Sequence, residues 1–138
     1  MIRRDGFTLT ELMLVIVIIG ILTTIAVPGY LRIAERSKQA EGIRVLGVLR
    51  DAQLRYFQET GTWITCNNNC TQALRDLGIE FEGLQFFRIT RLRSAPNPGS
   101  DIAEVQRQNG PVGMSNYKIA IRRNGTLHYV GSIHGPGL

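Results

Sequence analysis

The side chains able to do chemistry in this 138-residue chain are few and far apart. Cys66 and Cys70 flank three asparagines with no histidine nearby, and two thiolates alone do not complete a tetrahedral zinc site. In an oxidising compartment the pair would close a small disulfide loop. Two free thiols are the alternative, because nothing in the sequence fixes the Cβ geometry. His128 and His134 are the two histidines, and neither has a serine, a cysteine or a carboxylate pair at a spacing that supports catalysis. No Gly-rich phosphate loop or cluster of metal ligands stands out, so the expectation is no enzyme, no metal and no cofactor. Asn69-Cys70-Thr71 and Asn124-Gly125-Thr126 match the N-glycosylation pattern. Cys70 has a use in a bridge and Asn124 in a turn, so both matches are read as accidental.

Glu11 is the residue with the clearest chemical demand. From Phe7 to Val27 it is the one charge in a stretch long enough to cross a bilayer. A carboxylate near the bilayer costs up to roughly 3 kcal/mol on insertion scales, less at the interface. No cation follows within the apolar run, so its partner is expected from another chain.

The elements that must position these residues fall into two parts. Composition averages 43% hydrophobic and 20% charged, as in an ordinary globular protein, but the apolar residues are concentrated before Pro28. A membrane segment followed by a small polar domain is the reading. The net charge of +5 could point to nucleic acid. Yet the basic residues are scattered, with Arg88, Arg91 and Arg93, then Arg122 and Arg123, as the only small groups. A secretory signal peptide does not fit the start, because Pro28-Gly29-Tyr30 follows the apolar run where a small-x-small cut site is needed. A plain anchor oriented by Arg3 and Arg4 fits the length but leaves Glu11 unexplained.

Gly6-Phe7-Thr8-Leu9-Thr10-Glu11-Leu12 resembles the processing site of the type IV pilin and pseudopilin superfamily. The resemblance continues through Met13 to Leu22 and on to Ala26-Val27-Pro28-Gly29-Tyr30, departing mildly at Thr23-Thr24 and Gly29. It implies a leader of residues 1–6 removed by a prepilin peptidase between Gly6 and Phe7. It also implies N-methylation of Phe7, and pairing of Glu11 with the Phe7 amino group of a neighbouring subunit. A carboxylate that demands a matching cation is a register device, since a misplaced subunit leaves it unpaired. The implied fold is α+β: a long N-terminal helix, apolar over residues 7–30 and amphipathic over 31–58, packed on a small antiparallel sheet of three or four strands within 59–138.

The residues beyond the resemblance fit that outline. Helix-permitting residues run from Phe7 to about Gln58, roughly 75–80 Å of helix at 1.5 Å per residue. Val45, Leu46, Leu49, Ala52, Tyr56 and Phe57 form its apolar stripe, and Arg32 to Arg50 supply the charged remainder. Gly20 and Pro28 bracket a segment that could loosen in a filament; a continuous, kinked helix is preferred for the monomer. Trp63 to Cys70 reads as a polar loop, Thr71 to Leu77 as a short helix, and Gln85 to Leu92 as a strand. Asp101 to Gly113 gives little signal and is assigned to a surface loop. Tyr117 to Arg122 and Thr126 to Val130 flank Asn124-Gly125 as a hairpin, with Tyr117, Ile119 and Ile121 on one face.

The first functional expectation is a structural pilin that self-assembles into a type IV pilus. As precursor it would sit in the inner membrane with its head in the periplasm. After assembly by inner-membrane machinery it would be an extracellular filament. A type II secretion pseudopilin is the second; the absence of Asp and Glu from Tyr117 to Leu138 counts against its calcium-binding subtype. A minor pilin binding DNA, supported by Arg122-Arg123, is the third. Charge transport along Phe7, Tyr30, Tyr56 and Phe57 is a weaker idea, since packing explains these aromatics.

Overall fold

Helix α1 (Leu9–Thr60) is continuous through Gly20 and Pro28. Pro28 has no backbone N–H, so the Thr24 carbonyl lacks its usual helical donor, and the helix tolerates that single gap. The computed structural model describes residues 7–110 and 116–131. Gly6, His134 and the tail from Gly135 to Leu138 lie outside the described residues, as does the end of the loop expected over Asp101–Gly113. The chain divides into two units, Met1–Glu35 and Arg36–Leu138.

In the second unit, five strands form a fully antiparallel meander in the order β1-β2-β3-β4-β5. They are β1 (Cys66–Asn67), β2 (Phe87–Leu92), β3 (Asp101–Arg107), β4 (Lys118–Arg122) and β5 (Leu127–Val130), with the short helix α2 (Thr71–Asp76) after β1. The α+β architecture is as expected, a long helix on a small antiparallel sheet, but the sheet has five strands where three or four were expected, because β1 and β3 lie in stretches whose polar residues read as loops. Val45, Leu46, Leu49 and Ala52 from α1 share one core with Phe87, Leu92, Val105, Tyr117, Ile119 and Ile121 from the sheet. These are the stripe of the helix and the inward face of the hairpin, joined because each has an apolar side to remove from water. Gly42 lets the helix come close: a Cβ there would sit 3.0 Å from the Phe87 ring.

A carboxylate fastens the same junction. Glu41 Oε1 accepts the backbone N–H groups of Phe86 (2.9 Å) and Phe87 (3.0 Å), and Oε2 accepts that of Gln85 (3.3 Å). Charge-assisted bonds of this kind are stronger than neutral ones. They fix where the chain enters β2.

The loop expected at Asp101–Gly113 is instead β3, the central strand of the sheet. Polar Asp101, Glu104, Gln106 and Arg107 hide its alternation, yet Glu104 and Arg107 are each only 2% exposed. Partners from other strands make their burial tolerable. Two bulges set the faces. The register shifts between Ile89 and Arg91, so Ile89 pairs with Val105 while Arg91 pairs with Glu104. A second shift lies between Asp101 and Ala103. Each extra residue reverses the parity of its strand. Leu92 therefore returns to the core and Arg91 joins Glu104 on the opposite face.

The β4–β5 hairpin forms around Asn124-Gly125 as expected, with Arg123, Asn124 and Gly125 in its loop. The Gly125 N–H donates to the Arg122 carbonyl and Arg122 N–H to that of Thr126, while Gly125 has φ of +93°. This is a type I turn closed by a left-handed glycine, the three-residue hairpin loop.

Cys66 and Cys70 are disulfide-bonded, which resolves the choice between bridge and free thiols. The bridge closes a loop over Asn67–Asn69 and holds the short β1 against β2 at Leu92 and Arg91. For so small a loop the entropic gain is about 2 kcal/mol. Changing both cysteines to serine should lower the unfolding free energy of the head by that amount, read as a lower midpoint in urea; an unchanged midpoint would mean the loop is held by β1 pairing alone.

Candidate assembly segment

The first unit presents apolar side chains outward. Leu12, Ile16, Ile19, Leu22 and Ile25 are all more than half exposed, and the helix that carries them is long and apolar enough to cross a membrane. No soluble helix keeps such a surface in water, because each Leu or Ile left exposed forgoes about 1.5–3 kcal/mol.

Polar groups within this surface are satisfied locally. Thr23 Oγ1 donates to the Ile19 carbonyl (2.7 Å) and Thr24 Oγ1 to that of Gly20 (2.9 Å). Back-bonding of this kind lets a hydroxyl sit in an apolar environment without an orphaned donor. The Thr23-Thr24 departure is thereby accommodated.

At the N-terminal end, Phe7 is 79% exposed and precedes a reciprocal cap. Glu11 Oε2 accepts the Thr8 N–H (2.9 Å) and the Thr8 hydroxyl (2.7 Å), and Glu11 N–H approaches Thr8 Oγ1 at 3.3 Å. This is a capping box, with Thr8 as N-cap and Glu11 three residues on. The sequence reading missed Thr8, although Thr-x-x-Glu before an apolar run is the signature. It also changes the argument for Glu11. Among the described residues the carboxylate has the Thr8 N–H and hydroxyl as donors and no cation, so one oxygen is held in place by neutral groups.

Several basic groups of the head have partners within it. Arg91, Arg93 and Lys118 surround Glu104, with nitrogen–oxygen separations of 3.9, 3.5 and 3.1 Å. Arg122 faces Asp101 at 3.9 Å, and His128 Nε2 lies 3.4 Å from the same carboxylate. Arg123 lies over the rings of Phe57 and Trp63, which stack on each other at 4.3 Å, and donates to the carbonyls of Ala95 and Pro96. Trp63 is thus a packing residue, not part of a polar loop. His128 has the outward parity expected, and its neighbour is a carboxylate that carries no nucleophile.

Residues 1–27 match the family model described as the prokaryotic N-terminal methylation motif. The chain is also similar to the type IV major pilin protein PilA of Myxococcus xanthus, 49% identical over 57 residues, 41% of this chain and 26% of PilA. The fimbrial protein EcpC of Eikenella corrodens is 45% identical over 60 residues, 44% of this chain and 39% of EcpC. The type IV major pilin protein PilE1 of Neisseria gonorrhoeae is 40% identical over 70 residues, 51% of this chain and 42% of that protein. The chain therefore spans less than half the length of these curated relatives.

Proposed function

We propose that this chain, which carries the prepilin-type N-terminus of the type IV pilin superfamily, is a structural subunit that polymerises into a type IV pilus. The observation that carries the reading is the outward apolar surface of α1 with a single, locally held carboxylate at its N-terminal end. In a bilayer that surface is at ease among lipid tails. Once the subunit leaves the membrane, only packing against other copies keeps more than a dozen apolar side chains from water.

The steps follow from the residues. A prepilin peptidase cuts between Gly6 and Phe7, and the new Phe7 amine is N-methylated. Glu11 pairs with the Phe7 amine of a neighbour, setting the register. The precursor sits in the inner membrane with its head in the periplasm, and inner-membrane machinery builds the extracellular filament. The chain acts by assembly, with no catalytic role and no cofactor. The DNA-binding alternative loses its support, because Arg122 and Arg123 already have protein partners. No observation favours the pseudopilin reading.

Electron microscopy of material sheared from the cell surface, with mass spectrometry of its N-terminus, tests the proposal. Long fibres of a chain beginning at methylated Phe7 are expected. Protein confined to the envelope, with no fibres, would overturn it.

A further inference from the structure

We infer that one corner of the head, between the disulfide loop, β2 and the end of β3, is a binding site for an acidic oligosaccharide. Two adjoining depressions share Arg88 and Gln108. The first, about 280 Å³, has an apolar floor of Leu74, Phe81, Leu84 and Ile89, with Asn68 and Asn69 at its polar side. The second, about 260 Å³, is walled by Gln106, Arg107, Asn109 and Asn116. Among the described residues, no carboxylate lines either one.

The chemistry of this lining selects its ligand. Each side-chain amide offers a donor and an acceptor side by side, which matches neighbouring hydroxyls on a sugar ring. The apolar floor suits the C–H face of a pyranose, with Phe81 as the part-exposed and Phe87 as the buried aromatic of its lining. Arg88 is exposed and gives one Nη2 bond to Gln106 Oε1 (2.9 Å), leaving donors for a carboxylate. Arg107, in the wall of the polar depression, is buried, anchored by the carbonyls of Phe86 and Gln108 and laid over the rings of Phe86 and Phe87, so it shapes the wall and leaves charge recognition to Arg88. An exposed cation, Arg88, with no carboxylate in the described lining disfavours metals and amines and favours an anion. A wholly apolar ligand would strip water from the amides without replacing their hydrogen bonds. A bare phosphate would leave the apolar floor unused. Two joined depressions fit two linked sugar units.

The scaffold is fixed before binding. The Asn68 N–H donates to the Thr90 carbonyl, Gln108 N–H to that of Phe86, and the Cys66–Cys70 bridge closes the Asn-rich loop. Ordering costs on binding are correspondingly small.

The mature chain in detergent micelles, which needs no filament, can be titrated with cellobiouronate and with cellobiose by calorimetry. Saturable binding of cellobiouronate about tenfold tighter than cellobiose is expected, the factor for one charge-assisted pair. Arg88→Gln should remove that preference, and Phe81→Leu should weaken both sugars with the melting curve unchanged. If Phe81→Leu disturbs the fold, Gln108→Ala serves instead, since Gln108 lines both depressions. No saturable binding at millimolar sugar, equal binding of the two, or phosphate competition insensitive to both Phe81→Leu and Gln108→Ala would each overturn the inference.

Discussion

Replacing Glu11 with alanine should leave cleavage after Gly6 intact and lower the yield of sheared filaments tenfold or more. In the proposed scheme the peptidase acts on the bond before Phe7, four residues away, and a neutral helix start enters the bilayer more easily than a charged one. Assembly is where the loss falls. In the filament core an amine left without its carboxylate is a buried unpaired charge, and removing one member of such a pair costs about 3–5 kcal/mol. Repeated at every subunit, that penalty prevents growth.

The capping box makes a sharper version of this test available. Glu11 closes the helix end with Thr8, and in the proposed filament it has a second, separable job of presenting a charge to a neighbour. Glu11→Gln keeps an acceptor for the Thr8 N–H but carries no charge. Thr8→Val removes the cap hydroxyl and keeps the charge, at about 1 kcal/mol of helix-end stability. If charge pairing governs register, Gln assembles as poorly as Ala and Thr8→Val still forms fibres. Normal filaments from Glu11→Gln would assign the residue to helix capping and remove the register argument.

What could be read from the sequence was whatever depends on neighbours along the chain. The apolar run, the helical stripe from Val45 to Ala52 and the β4–β5 hairpin all declare themselves at spacings of two, three or four residues. What escaped depends on residues far apart in sequence. Glu41 looked like one more charge on the solvated side of a helix, yet its partners lie at Gln85 to Phe87. Strand β3 looked like a loop because burial of Glu104 and Arg107 makes sense only once Thr90, Lys118 and the Phe86 carbonyl are beside them. Bulges added a second disguise, since a period-two pattern cannot anticipate where parity reverses. Thr8 is the exception. Its signal is local, a Thr-x-x-Glu spacing just before an apolar run.

Glu104→Ala should cost the head about 3 kcal/mol of unfolding free energy, as much as a large cavity in its core. The carboxylate is 2% exposed, and Thr90 Oγ1 lies 3.1 Å from its Oε1. Arg91, Arg93 and Lys118 converge on it from two strands, their side chains roughly one-third exposed. Deleting the anion leaves three cations facing one another over a cavity, so both repulsion and lost packing act in the same direction. Screening separates these two causes. The Debye length falls from about 10 Å at 0.1 M salt to about 3 Å at 1 M, so added salt should restore the electrostatic share in the variant. Pairing Glu104→Leu with Lys118→Met provides the complementary measurement, because it fills the space and removes one cation. That double variant should recover most of the loss, as buried ionic networks often exchange for apolar packing with little net change. A Glu104→Ala midpoint in urea that is independent of salt would mean that β3 is held by its packing and its ladder, with the three cations solvated well enough to need no partner.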